Sequence, residues 1–434
     1  MTEHWIHCGA VVVGDGRQVL TDVGILVRDG RIASLEPWAA VEPGASPVID
    51  HSRHTVCPGF IDLHVHLLFT SDVDHAITRG AVEEGTPSQL ALTGARNAVE
   101  CLLGGITTVR DCGDTAFITL DIRDAIEARQ IPGPRILAAG PPVTTTGGHL
   151  HWCGNAADSH DELRKATRAS CARGVDLIKV MASGGNMTHG SNPRLPQFSE
   201  SELETVVAEA HRLGRRVAAH ALNTAAIQRA TVAGVDTLEH CIPHAVNGQL
   251  ELPDSLIFDI VERQTWVVLT MAGLARRLLP EFEDEAHTTQ DPAKQNEYSV
   301  ARNMSDTGSI VGDHEWARRL RDAGARMALA SDAGVRFTPF RRFDLSLRAG
   351  MVALQISAAT AIALATGCAA QAAGIDDQVG YVKAGYRADL VVLDELLNDT
   401  STAVGNVVEV WRDGAPVVRN GAILGWDDGV NGLD

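Results

Sequence analysis

Eight apolar runs of β-forming residues recur along the chain, each followed by a longer stretch with helical character. They fall at 59–66 (GFIDLHVH), 105–112 (GITTVRDC), 135–140 (RILAAG), 176–183 (DLIKVMAS), 215–221 (RRVAAHA), 236–240 (DTLEH), 265–270 (TWVVLT) and 326–333 (RMALASDA). Strands alternating with helices form parallel sheets, because a parallel neighbour is reached only through a long crossover. The intervening helices carry end signals. Ser199 and Glu202 make a capping box, and the segment from Asn223 to Ala233 stops at Gly234. Eight such units in succession are the number that closes a (β/α)8 TIM barrel. An open doubly wound sheet is the alternative, but the first strand–helix turn holds no G-x-G-x-x-G.

The two ends differ from the middle. Residues 1–56 and the stretch from Gly380 onward read as short strands, with hairpin turns at Asp29-Gly30 and Asp413-Gly414. We expect both ends to join in a small β-sandwich domain, 1–57 with 379–434, beside a barrel of 58–378. A chain of 434 residues suits a barrel plus such a unit. Two connections, about 67–92 and about 272–315, are long for a compact domain. The second is polar and reads as a cover over the barrel mouth.

Composition narrows the function. With 37 basic and 55 acidic residues the net charge is −18, which argues against nucleic acid and anionic membrane as partners. A small-molecule substrate is expected. No stretch approaches the ~20 apolar residues of a membrane helix. The opening MTEHWIHCGAVVVGDG lacks the features of a secretion signal, so a cytoplasmic protein is expected. The eight cysteines form no CxxC pair and read as small buried residues.

The chemistry gathers at strand ends. His64 and His66 stand two apart on the first run, so both imidazoles face one side. Lys179 lies within the fourth run, His220 ends the fifth, His240 ends the sixth, and Asp332 is near the end of the eighth. Barrel closure brings the C-terminal strand ends together, where barrel enzymes build their sites. Each residue alone has an ordinary reading as a packed histidine or a turn aspartate. A lysine inside LIKVM is harder to place, since a buried ammonium needs a partner or a modification.

These residues carry a resemblance. PGFIDLHVH, the strand-four lysine in VDLIKVMASGG, HAL after strand five, AGVDTLEH, ASDAG and GYVKAGYRADLVVLD together resemble the amidohydrolase superfamily. The likeness is to its branch of binuclear-metal prolidases, Xaa-Arg dipeptidases and ochratoxin-type amidases, with imidazolonepropionase-like enzymes nearby. That resemblance implies two divalent ions, most naturally zinc. His64, His66 and Asp332 would bind the first and His220 and His240 the second. Lys179, carboxylated by CO2, would bridge them. It implies hydrolysis of a carboxamide, in a dipeptide or N-acyl amino acid, by a metal-bridging hydroxide with Asp332 as general base and acid. Family members often form homo-oligomers.

Substrate contacts are less fixed. The loop TTTGGHLHWCGN (144–155) offers His149 and His151, where relatives place one histidine in a GGHG-like context. His151 is slightly preferred as the catalytic histidine. Asn223, Asn186, His189, His244, Arg194 and Arg336 are further candidates. The rival reading is a mononuclear, imidazolonepropionase-like ring-amide hydrolase. A deaminase is disfavoured because His220-Ala221-Leu222-Asn223 lacks the carboxylate such enzymes place there. A non-catalytic scaffold is disfavoured because all six ligand positions are filled.

Overall fold

The computed structural model describes residues 3–279, 314–398 and 404–425. The chain opens with four strands, β1 (Glu3–Val12), β2 (Val19–Arg28), β3 (Arg31–Pro37) and β4 (Val48–Pro58). Eight parallel strands follow among the described residues: β5 (Phe60–Val65), β6 (Ile106–Asp111), β7 (Arg135–Ala138), β8 (Leu177–Met181), β9 (Arg216–His220), β10 (Thr237–Glu239), β11 (Trp266–Thr270) and β12 (Met327–Ala330). All eight fall inside the runs expected from the sequence. Every residue of β5, β6, β8, β10 and β12 is buried. This is why these strands read as apolar runs rather than alternating patterns.

The parallel strands form two sheets, in the orders β5-β6-β7 and β8-β9-β10-β11-β12. Isolated parallel bridges join them at both seams, Val65 to Ala333 and Val143 to Val180. The His66 amide donates to the Ala333 carbonyl at 2.8 Å, and the Val143 amide to that of Lys179 at 2.8 Å. The fold is α/β, of the TIM-barrel type.

Helix ends follow their sequence signals. The Ser199–Glu202 capping box opens Glu200–Arg212, and Asn223 caps Thr224–Ala233, which ends at Gly234 with a φ of 85°. The connection at 67–92 is partly helical, holding His75–Glu84 and the start of Pro87–Leu103. Most of the connection expected to cover the mouth, 280–313, lies outside the described residues. Among the described residues, no single helix is long and apolar enough to cross a membrane.

Four late strands, β13 (Leu390–Leu393), β14 (Val407–Arg412), β15 (Ala415–Arg419) and β16 (Ala422–Ile423), join β1–β4 in one sheet. Its order is β16-β15-β14-β13-β4-β1-β2-β3, so the two chain ends meet where β13 pairs antiparallel with β4. The sheet curls until its outer hairpins touch. The His4 and Trp411 rings lie 5.3 Å apart. A Cβ added to Gly30 would stand 2.8 Å from the Asp413 carbonyl oxygen. Ile6, Ile25, Val56, Leu390 and Trp411 fill the concave side. The ion pair of Arg135 with Asp389, 3.0 Å, ties this sheet to β7.

Candidate metal centre and active site

At the C-terminal strand ends, six side chains from five elements converge on one cavity: His64, His66, Lys179, His220, His240 and Asp332. Five of the six are less than a tenth exposed. The strand geometry explains the convergence. His64 and His66 share the inward face of β5 and its extension. His220 closes β9. His240 comes immediately after β10 and Asp332 two residues after β12, in the left-handed region with φ of 64° and 65°. Non-glycine residues adopt that conformation at a cost and keep it where surrounding contacts enforce it. For Asp332 the contacts are plain. Its amide donates to the His64 carbonyl at 2.8 Å, and its carbonyl accepts from the Thr338 hydroxyl at 2.6 Å.

Two clusters form. In the first, Asp332 Oδ1 lies 3.5 Å from His64 Nε2 and 3.6 Å from His66 Nε2. The three ligand atoms are all within 4.8 Å of one another. In the second, His240 Nε2 faces His220 Nδ1 at 3.0 Å. Lys179 Nζ lies 3.3 Å from His64 Nε2, and its charge also acts on His220 and His240.

Outer hydrogen bonds fix which ring nitrogens face inward. His64 Nδ1 meets the Glu239 carboxylate at 2.8 Å, His66 Nδ1 the Gly113 carbonyl at 3.0 Å, and His220 Nε2 the Gly184 carbonyl at 3.1 Å. Each partner can only accept, so each of these nitrogens carries the proton. The remaining nitrogen therefore turns a lone pair into the cavity. His240 Nδ1 meets the Thr270 hydroxyl at 2.8 Å, which can accept in the same way. Histidine metal ligands are oriented by this kind of outer partner.

Electrostatics point the same way. Burial, reinforced by the Lys179 charge, holds His64 well below the usual histidine range and His66 down to about 3. His220 and His240 are likewise depressed, by burial first and then by the neighbouring imidazole. Four neutral imidazoles and a carboxylate form a donor set suited to a divalent ion such as zinc. Burial pushes the Asp332 carboxyl up to about 7.

Three further charged groups support the site. Glu239, fully buried on β10, accepts from Arg110 Nη2 at 2.6 Å and from Thr237 as well as from His64. Asp62 accepts from the His64 amide at 3.2 Å and from both the amide and hydroxyl of Ser331. Sequence reading missed Glu239, Arg110 and Asp62. Arg110 and Asp62 interrupt apolar strand runs as Lys179 does, and that signal could have found them.

The substrate candidates separate. His149 lines the cavity, 5% exposed, with its ring 4.6 Å from that of His220. Its Nδ1 is buried without a hydrogen-bond partner among the described residues. Gly185 makes room for it, since a Cβ there would lie 2.4 Å from the ring. His151 is outside the lining and turns Nδ1 to the Gly148 carbonyl at 2.9 Å. Asn223 is also outside, its amide used at both ends. Its oxygen caps Ala226 at 2.8 Å and its nitrogen donates to the Pro193 carbonyl at 3.0 Å. Asn186 and Arg336 are in the lining, whereas His189, His244 and Arg194 are not.

Known proteins match this architecture. A model of the amidohydrolase family matches residues 55–423. Ochratoxinase from Aspergillus niger is 27% identical over 421 residues, covering 90% of this chain and 81% of that protein. Imidazolonepropionase from Salinispora tropica is 26% identical, with 92% and 90% covered. The crystal structure of a Xaa-Pro dipeptidase with bound methionine superposes with a TM-score of 0.77 at 26% identity, covering 95% of this chain and 99% of that one.

Proposed function

The chain belongs to the amidohydrolase family, hydrolases of C–N bonds, and from that premise we propose that it is a metal-dependent hydrolase of small carboxamides. The observation that carries the reading is the fixed inward tautomer of His64, His66 and His220 around Asp332 and Lys179. In this reading His64, His66 and Asp332 would hold one divalent ion and His220 and His240 a second, most naturally zinc. Lys179, as a carbamate, would serve as a ligand to both. The lysine ammonium would first lose one proton; its neutral amine then adds to CO2, forming the N–C bond and releasing a second proton, so a cation becomes an anion.

The ions supply Lewis acidity to the scissile carbonyl and to the attacking water. The protein residues do the rest. Asp332, in the carboxylate form, takes the proton from water and passes it to the leaving nitrogen. His149, in the cavity lining, would meet the substrate. Leu150, Met181, Met187, Leu222 and Ile242 wall the cavity and limit water.

Dipeptides and N-acyl amino acids are the substrates the reading favours. Its rival, a mononuclear ring-amide hydrolase, draws on the likeness to imidazolonepropionase but leaves the buried Lys179 without a role. We further read the curled sheet as a small β-sandwich domain of 1–57 with 379–434, beside a barrel of 58–378. The test is the Asp332→Ala variant assayed on an amide library. Turnover is expected to vanish, by about a hundredfold or more, while at least one ion per chain stays bound. Activity retained in that variant contradicts the assigned role.

A further inference from the structure

An irregularity in the sheet of the chain ends brings together two histidines that do not line the barrel cavity. Strand β4 runs parallel to β1, with Cys8 opposite His51 and Ala10 opposite Thr55. Ser52, Arg53 and His54 therefore bulge out opposite Gly9 alone. Gly9 permits this close approach, because a Cβ there would lie 2.2 Å from the Ser52 carbonyl oxygen. On a regular strand residues three apart face opposite sides. The bulge re-aims His54, so that its Nδ1 stands 3.4 Å from Nδ1 of His51. The two rings meet edge to face, with centroids 5.3 Å apart.

Each imidazole has a carboxylate behind it. His51 Nε2 meets Glu409 Oε2 at 2.8 Å. Burial opposes the charge of Glu409, but hydrogen bonds from His51, from Arg419 at 2.6 Å and from Trp411 at 3.0 Å hold its carboxyl below the usual range. An ionised carboxylate only accepts, so His51 Nε2 carries the proton and Nδ1 presents a lone pair. Asp394 Oδ1 lies 3.8 Å from His54 Nε2 and favours the proton on that nitrogen too. Two lone pairs then face each other, an arrangement that a cation between them relieves.

The separation fits such an ion. Two nitrogens bound to one tetrahedral zinc at about 2.0–2.1 Å stand about 3.3–3.4 Å apart. A hydrogen bond from a ring N–H is shorter, about 2.7–3.2 Å. His51 is buried, whereas His54 is partly exposed and leaves a way in. We propose that His51 and His54 bind a divalent transition ion such as zinc through their Nδ1 atoms, at a site separate from the catalytic centre, with water completing the shell. A carboxylate behind each ring is the arrangement that orients histidine ligands. The ion clamps the β4 bulge and, through Glu409, ties it to β14 from the other end of the chain.

Zinc itself is the probe. Protein loaded with zinc and bicarbonate is dialysed against metal-free buffer, which strips an ion held by only two protein donors, and is then titrated with zinc chloride by calorimetry. At matched free zinc, the wild type is expected to bind one equivalent more than the variants. His54→Gln keeps an amide donor for His51 Nδ1 but removes the imidazole, and His54→Ala removes both. Each should weaken that equivalent by at least about tenfold, while the ions retained through dialysis stay the same. Circular dichroism establishes that the variants remain folded. Zinc held by surface carboxylates binds all three proteins alike. Equal binding by the wild type and both variants therefore overturns the proposal and leaves the pair a hydrogen bond.

Discussion

Glu239 Oε2 stands 2.8 Å from His64 Nδ1, and both side chains are sealed from solvent. Glu239 Oε1 holds Arg110 at 2.6 Å. One carboxylate on β10 thus sets the tautomer of a histidine on β5 and neutralises a buried arginine on β6.

Glu239→Gln brings an amide NH2 up against either His64 or Arg110, both of which donate. Where it meets His64, the imidazole must turn its protonated nitrogen toward the cavity. Metal affinity is expected to fall about 10- to 100-fold, read by competition against a chelator of known affinity. Glu239→Ala leaves Arg110 buried without its counter-charge and should destabilise the fold by about 3–5 kcal/mol, read by thermal or denaturant unfolding. Unchanged metal affinity in the Gln variant would refute the orienting role.

Gly185→Ala tests His149. The new methyl would lie 2.4 Å from an imidazole that is buried and cannot swing into solvent. Displacement of a group that touches substrate by about 1 Å is expected to lower activity by about a hundredfold. Metal content should not change, because His149 is outside both ligand clusters. Full activity in Gly185→Ala would remove His149 from the reaction.

His75 gives a pH dependence separate from the metal centre. Burial, and then the Arg336 charge, holds its folded-state pKa down to about 4, against an ordinary value of 6.5. Between those values the unfolded chain binds a proton that the folded chain refuses. Its contribution to stability is therefore fully present above 6.5 and is lost as pH falls toward 4. Replacing His75 with Asn removes this loss. From pH 7 to pH 5 the variant should lose less stability than the wild type, by about 1–2 kcal/mol. Parallel losses in the two proteins would contradict the assignment.

The sequence made the convergence of these residues on one cavity readable because barrel topology needs only two things, the strand ends and their order. His64, His66, His220, His240 and Asp332 all stand at such ends. Lys179 was readable as a charge inside an apolar strand. Glu239 was hidden for a geometric reason. Alternation sets it opposite His240, but the left-handed turn at His240 (φ 64°) lets both side chains reach the centre. The choice between His149 and His151 depends on loop geometry, in which Leu150 takes a φ of 54°, and no periodicity encodes that. At the chain ends the hairpins at Asp29-Gly30 and Asp413-Gly414 were legible from local turn chemistry. The pairing of β13 with β4 was not, since it joins segments more than 300 residues apart.

The central claim is a pair of ions bridged through Lys179, and metal content per chain tests it most directly. Protein expressed with bicarbonate and purified without chelator should carry about two zinc-like ions per chain, falling to about one in Lys179→Ala. One ion per chain, unchanged by that substitution, would contradict the bridged centre and make Lys179 a structural residue.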